Sequence, residues 1–455
     1  VKPKSNTATK PQGNNKITSA LLSLLYMGLG QLKNGQYTKG IIFTIYQSIF
    51  WFLNIDVVTE GALPNFSVEF QPFYVIGFLQ EKIYGVYTLG TVAGEHHSLF
   101  FLIEGLMAIV FVLILIGIHI FNVADAYKNG KLIDQGEEVP DFKKSLEYFS
   151  EAGFPYIGMS PGTIFLFVAT IFPVIFTVCL AFVNYDNQHL PPGQLLQWVG
   201  FRNFKDLVMF SQWRGTFIQV FTWTVIWSVA STVLSYGLGL FVAVVLNHED
   251  IKFRNIFRTV LLIPWAIPAF VSILIWRYLL NYNFGHMNQM LALIGIGKVQ
   301  WLSDSLYAKI AVLLVNLWLS FPFAMAVCSG ILQSISEALY EAAIVDGATV
   351  LQKFFHITLP LVLRQVTPLL IMQFAFQFNN FGIIFLLNDG APPIFGGAGS
   401  AGHTDILISW VYKLVIRKGL YSYGSAISII IFFVVAGFSI YQFRQSDAFK
   451  EGELR

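Results

Sequence analysis

The chain of 455 residues is 55% hydrophobic and 12% charged, with a mean hydropathy of +0.62, which is far too apolar for a soluble protein of this size. These values point to a polytopic integral membrane protein, and the helical spans placed below make it all-α. A formal net charge of +2 without a long basic or acidic run gives no basis for nucleic-acid binding.

In chain order, residues 1–16 are polar and carry Lys2, Lys4, Lys10 and Lys16, and they read as a disordered basic tail. The apolar run 17–29 lacks a small-residue cleavage pattern and is shorter than the ~20 residues a spanning helix needs, so it reads as an interfacial or re-entrant helix. Full-length spans are expected at 38–57, 98–122, 160–184, 217–246, 256–280, 306–332, 361–387 and 423–443, eight in all. Most of the 28 Lys and Arg residues then fall in segments on the side of the N-terminus, which favours both termini in the cytoplasm. Residues 1–37 form a cytoplasmic tail and interfacial helix, 38–159 a two-span extension and 160–455 a six-span core. The connections 58–97 and 123–159 are long, but neither is large enough for an ordinary domain. Cys179 and Cys328 lie within apolar segments and read as small hydrophobes.

The stretch 334–360 falls between two spans and is too polar to cross a membrane. Ser334 followed by Glu337 reads as a capping box for a first short helix. Gly347 breaks that helix, Thr349 can cap a second one carrying Leu351, Phe354 and Phe355, and Pro360 marks where the second ends or kinks. A helix-turn-helix exposed on the cytoplasmic side suits docking on a soluble partner.

Polar residues inside spans are costly and tend to face a cavity or another helix. Asn316, Leu319, Ser320 and Phe323 share one helical face; Gln373, Gln377 and Asn380 share another, with Phe376 beside them; Trp265 and Ala269 are bracketed by Pro264 and Pro268. Amides supply donors and acceptors for sugar hydroxyls, and aromatic faces stack on sugar rings, so the three stripes could line one carbohydrate cavity. Interhelical hydrogen bonding is the competing explanation for the same amides.

The spacing of Glu341, Ala342, Ala343, Gly347, Ile357, Leu359 and Pro360 resembles the EAA signature of permease subunits of ATP-driven, binding-protein-dependent importers. The stretches LLIPWAIPAFVSILIW, VNLWLSFPFAMAVCSGILQSI and PLLIMQFAFQFNNFGIIFLLNDGAP extend the resemblance, most closely to the larger permease of maltose and maltodextrin importers. The resemblance implies a type I ABC importer transmembrane fold in the cytoplasmic (inner or sole) cell membrane. It implies a homologous smaller permease subunit, two ATPase subunits that carry ATP and Mg, and an extracellular solute-binding protein that delivers an oligosaccharide. It implies ATPase coupling through the seven signature residues, and a sugar site at Trp265, Ala269, Asn316, Leu319, Ser320, Phe323, Phe376, Gln377 and Asn380. The chain departs from the maltose pattern: Trp265 and Phe323 stand where tyrosines are expected, Ala269 where a serine is, Ser320 where a glycine is and Gln377 where an asparagine is. The external loop 185–216 is also short, where the enterobacterial permease carries a large domain.

No GxxxxGK[ST] loop occurs, so ATP hydrolysis is expected on a separate subunit and the chain itself is not an enzyme. Glu95, His96 and His97 stand without a third metal ligand at supporting spacing and read as a solvated loop. Glu104 and His119 lie within an expected span, where a proton relay competes with simple contacts to neighbouring helices. An ion-coupled secondary sugar carrier would account for the polar stripes but not for the docking loop. An intramembrane enzyme would need a convergent acid, base or metal set, and none is recognisable.

Overall fold

The computed structural model describes residues 14–58, 65–70, 74–89, 97–151, 153–248 and 251–445. The basic tail up to residue 13, Glu60, Glu95 and His96 lie outside the described residues. Among the described residues the chain is nearly all helical, with one antiparallel hairpin pairing β1 (Leu53–Val58), at the end of an expected span, with β2 (Asn65–Phe70) in the connection 58–97. Among the described residues six helices are long and apolar enough to cross a membrane, and a seventh crossing is a pair bent by 91°.

The first unit extends to Cys179 and takes in Gln188–Trp198. It contains α1 (Asn15–Leu25), α2 (Leu29–Lys33), α3 (Tyr37–Phe52), α4 (Tyr74–Thr88), α5 (Ser98–Gln135), α6 (Phe142–Glu151) and α7 (Phe154–Leu180, which crosses into the second unit at its last residue). The expected span 38–57 is not realised at full length: α3 has 16 residues, about 24 Å at 1.5 Å per residue, and the chain turns to strand at Leu53. Helix α5 overruns its expected end by a further three turns and stops at Gly136, whose φ of +75° supplies the left-handed cap. Buried hydroxyls and amides tie α1 and α2 to it. Ser23 donates to Gln31 (2.9 Å), Gln31 Nε2 donates to the Asn122 carbonyl (2.9 Å), Asn34 Nδ2 donates to the Ala126 carbonyl (3.0 Å), and Lys39 pairs with Asp125 at 2.7 Å.

The two ionisable residues of the second expected span are both committed to neighbouring helices. Glu104 pairs with Lys82 at 2.7 Å, and His119 Nε2 lies 3.2 Å from the Leu24 carbonyl. His97 caps α5 by accepting from the Leu99 amide (3.2 Å), and among the described residues no group of His, Cys, Asp and Glu could hold a metal.

The second unit covers Leu180–Asn187 and the chain from Val199. It contains α8 (Arg202–Met209), α9 (Ser211–Asn247), α10 (Arg254–Ala266), α11 (Ala269–Leu279), α12 (His286–Leu293), α13 (Ser305–Ser334), α14 (Glu337–Val345), α15 (Val350–Phe378, π-helical over Phe354–Thr358), α16 (Phe381–Asn388), α17 (Leu407–Tyr412, continuing as a π turn to Arg417) and α18 (Tyr421–Gln445). The expected span 256–280 is broken between α10 and α11. Pro268 excludes the helical region for Ile267, which is extended at φ −83° and ψ 135°. The expected span 361–387 is likewise two helices, because α15 stops at Phe378 and α16 begins at Phe381.

The α9–α13 pair is the centre of this unit. Its helices run parallel, with Ser235 beside Ser320 and Gly239 against Ala324. A Cβ on Gly239 would stand 2.6 Å from the Ala324 Cβ and 2.7 Å from the Met325 backbone nitrogen, so only glycine permits the approach. Thr224, Ser228 and Thr232 bond back to the carbonyls four residues earlier at 2.7–2.8 Å, which satisfies the buried hydroxyl protons within the helix, and Thr224 Oγ1 also accepts from the Leu407 amide (2.9 Å).

Gly239→Ala is therefore expected to lower the stability of this unit by about 1–3 kcal/mol. Gly237→Ala, whose Cβ would meet nothing within 4 Å, should be neutral or stabilising by up to about 1 kcal/mol. Thermal unfolding of the two variants in detergent tests the difference in sign.

Candidate functional site: the helix-turn-helix and the amide cluster

The docking loop is a helix-turn-helix, as the sequence indicates, but its caps differ. Ser334 is the last residue of α13 and donates to the Ile331 carbonyl (2.7 Å), so no capping box joins it to Glu337. Ser336 occupies the cap position of α14 without a side-chain bond, because the chain turns into extended geometry one residue later than the Ser334 spacing assumes. The true capping box is downstream, where Gln352 Oε1 accepts from the Thr349 amide (2.7 Å) and Thr349 Oγ1 from the Gln352 amide (3.3 Å).

Gly347 sits at φ +76°, and a Cβ there would meet nothing within 4 Å, so within this chain glycine is required by backbone conformation rather than by close packing. Pro360 does not end its helix: a π turn at Phe354–Thr358 precedes it, and the helix runs on to Phe378. Tyr340 and Thr358 join the two arms through their hydroxyls at 2.9 Å, a strap without a signature in the sequence.

Between the arms lies a groove of about 350 Å³ lined by Ala343, Gly347, Gln352, Lys353, His356 and Ile357. Its surroundings are apolar and bare, with Val345 87%, Val350 77% and Leu351 69% exposed. Glu341 and Ala342 are exposed as well, and Glu341 makes no ion pair among the described residues. Leu359 is half-buried and Pro360 exposed at the base of the second arm.

Inside the same unit four of the nine expected sugar-site residues meet. Asn380 Nδ2 lies 3.0 Å from Gln377 Oε1 and 3.4 Å from Asn316 Oδ1, and Ser320 Oγ donates to the Asn316 carbonyl at 2.5 Å. The single face expected for Gln373, Gln377 and Asn380 is interrupted, because Asn380 caps α16 rather than continuing α15. That break turns its amide back onto Gln377. Trp265 and Phe323 form a second group, with ring centroids 6.0 Å apart, and both are exposed on the isolated subunit. Phe323 follows Asn316 two turns along α13, about 10 Å away. Leu319 packs in the core around Trp223 and Trp227, while Ala269 at the start of α11 and Phe376 are exposed and join neither group.

Three participants escape sequence reasoning. Ser235 meets Ser320 at 2.6 Å, Trp227 Nε1 donates to the Gln377 carbonyl at 2.9 Å, and Ser231 lies between them on the same face of α9. Their four-residue spacing was the available signal, but it is masked by the many serines and threonines of α9.

A bent span, a helix broken at its polar centre and an exposed helix-turn-helix together define a membrane subunit with a type I importer fold. In agreement, residues 235–445 match the family described as binding-protein-dependent transport system inner membrane component, and the chain belongs to that family. It is 39% identical over 433 residues to the galactooligosaccharides transport system permease protein GanP of Bacillus subtilis, covering 95% of this chain and 98% of that protein. It is 38% identical over 461 residues to the maltodextrin transport system permease protein MdxF of the same organism, covering 99% of each. The maltose/maltodextrin permease MalF of Vibrio vulnificus is 41% identical over 265 residues, 57% of this chain and 50% of that protein. Among solved structures, a bacterial ABC transporter involved in import of the acidic polysaccharide alginate superposes with a TM-score of 0.56 at 23% identity, over 67% of this chain and 99% of its counterpart.

Thr349→Ala removes the capping box and is expected to cost about 1 kcal/mol locally, which corresponds to about fivefold faster hydrogen exchange of the Gln352 and Lys353 amides. Gly347→Ala should loosen the same turn by about 1–2 kcal/mol through its left-handed φ. Peptide-resolved exchange on the purified subunit reads both.

Proposed function

We propose that the chain is the larger-type permease subunit of an ATP-driven importer of neutral oligosaccharides, forms half of the translocation pathway, and couples to its ATPase partners through residues 337–360. The observation that carries this reading is the helix-turn-helix: Tyr340 and Thr358 hold it rigid, its rim is apolar and bare, and Glu341 stands uncommitted. Such a surface fits a groove on a soluble partner, with Glu341 facing a basic group there and Ala342, Ala343 and Gly347 permitting close approach. In this reading Ile357, Leu359 and Pro360 set the base of the second arm. A homologous smaller permease supplies the other half of the pathway, two ATPase subunits bind ATP and Mg, and an external solute-binding protein delivers the sugar.

The cargo reading rests on the amide cluster. The half-buried Asn380 and Ser320, held by the buried Asn316 and Gln377, offer donors and acceptors without charge, and Trp265, Phe323 and Phe376 present exposed aromatic faces in the same unit. A neutral, hydroxyl-rich ligand matches that set. The names of the relatives, galactooligosaccharides and maltodextrin, lie within the same class. Ala269 and Leu319 would shape the apolar part of the wall. An ion-coupled carrier leaves the exposed loop without a purpose.

Glu341→Lys is expected to abolish ATP-dependent sugar uptake and to reduce copurification of the ATPase, while the permease stays in the membrane; unchanged uptake would sink the assignment. Gln377→Leu is expected to raise the half-saturating sugar concentration about tenfold or more, the effect of about 1–3 kcal/mol for an unmet buried partner. Uptake by proteoliposomes of the assembled transporter over a panel of malto- and galacto-oligosaccharides measures it.

A further inference from the structure

Three polar atoms at one level of the second unit have no hydrogen-bond partner among the described residues: Ser231 Oγ on α9, Asn316 Nδ2 on α13 and Gln377 Nε2 on α15. All three residues are buried, at 2%, 2% and 0% exposure. The helical contacts bracket Ser231 between the other two. One turn before it, Trp227 donates to the Gln377 carbonyl (2.9 Å); one turn after it, Ser235 meets Ser320, which is itself bonded to the Asn316 carbonyl. The parallel register that sets Ser235 beside Ser320 sets Ser231 level with Asn316.

Asn380 bridges the oxygens of the Asn316 and Gln377 side chains, which leaves their NH₂ groups as uncommitted donors. The other hydroxyls of this part of α9 are spent: Thr224, Ser228 and Thr232 on backbone carbonyls and Ser235 on Ser320.

An unmet buried polar atom is costly, and three from three helices at one level call for a shared partner. A sugar ring cannot reach atoms closed to solvent. A water molecule can, and two amide donors with one hydroxyl match the three partners a buried water typically takes. We propose that a single water is held by Ser231, Asn316 and Gln377 behind the amide cluster, and that Ser231 is a positioning residue acting through it. The water accepts from the two amides and donates to Ser231 Oγ. It thereby fixes the Asn316 and Gln377 side chains, whose oxygens hold the half-buried amide of Asn380 in the direction in which it meets sugar. The consequence for sugar rests on the carbohydrate reading above; the water site itself does not.

The test uses the assembled transporter in lipid nanodiscs, in a Cys179→Ser background, with unfolding of this chain followed by thermal exposure of the buried Cys328 thiol. If Ser231 holds the water, Ser231→Ala lowers the midpoint, Ser231→Thr restores it, and the loss shrinks to less than half in a Gln377→Leu background. Ser228→Ala, which removes a hydroxyl already spent on its own helix, leaves the midpoint unchanged. A Ser231→Ala midpoint equal to or above that of the parent, as deletion of a merely unpaired polar atom gives, overturns the proposal, as do additive shifts in the double variant. In uptake assays Ser231→Ala is expected to raise half-saturation severalfold at unchanged maximal rate. If the midpoints behave as stated while neither Ser231→Ala nor Gln377→Leu moves half-saturation, the water stands and the carbohydrate reading falls.

Discussion

Close packing of Ser211–Asn247 on Ser305–Ser334 is the contact on which the rest of the second unit depends. In hydrocarbon there is little hydrophobic gain from helix association, so helices stay together through tight van der Waals contact and through polar groups that have nowhere else to go. Gly239 provides the first, by letting the two backbones approach past Ala324. The Ser235–Ser320 contact provides the second one turn away. Once that pair is fixed in parallel register, Asn316 faces Gln377 and Asn380, and Trp227 reaches the Gln377 carbonyl. The amide cluster is a consequence of the helix pair rather than a separate feature.

The sequence made the class and the machinery legible and left the irregularities hidden. Composition and run length marked the long spans, because burial in lipid selects for uniform apolarity over a fixed distance. The seven-residue signature marked the loop. Helical periodicity placed Asn316, Leu319, Ser320 and Phe323 on one continuous helix, as found, although Leu319 packs in the core and Phe323 joins Trp265. It failed for Gln377 and Asn380, since periodicity assumes an unbroken helix and the break at Asn379–Asn380 carries no proline or glycine to announce it. It failed again at Ser334, where the spacing of a capping box was present but the chain stayed helical through the residue expected to cap. The short α3 shows the same limit: hydropathy cannot see that residues from Leu53 pair as a strand.

The residues found only in three dimensions share one property. Ser231, Ser235, Trp227 and the Tyr340–Thr358 strap act across helices, through partners 18 to 150 positions away or through a register that no single helix encodes. Serines and threonines in a membrane helix are ambiguous in sequence because most bond back to their own backbone, as Thr224, Ser228 and Thr232 do. Ser231 and Ser235, whose hydroxyls do not, are identified by their neighbours alone.

The loop and the amide cluster are the two ends of one rod. Leu359–Phe378 is a continuous helix of 20 residues, about 30 Å long, whose near end joins the helix-turn-helix through the π turn at Phe354–Thr358 and whose far end is the break at Asn379–Asn380. Its ladder is interrupted once, at Pro368, which has no amide to donate, and the irregular backbone at each end is where its orientation can change at low cost. A displacement of the exposed arm therefore reaches Gln377, and the amide of Asn380 that folds back upon it, through this helix and whatever bend Pro368 allows. Because Gln377 is also held by Trp227 on a different helix, such a displacement has to either carry Ser211–Asn247 along or break the amide contacts. Either outcome rearranges the amide cluster, because the break at Asn379–Asn380 sits where this helix and its two neighbours meet.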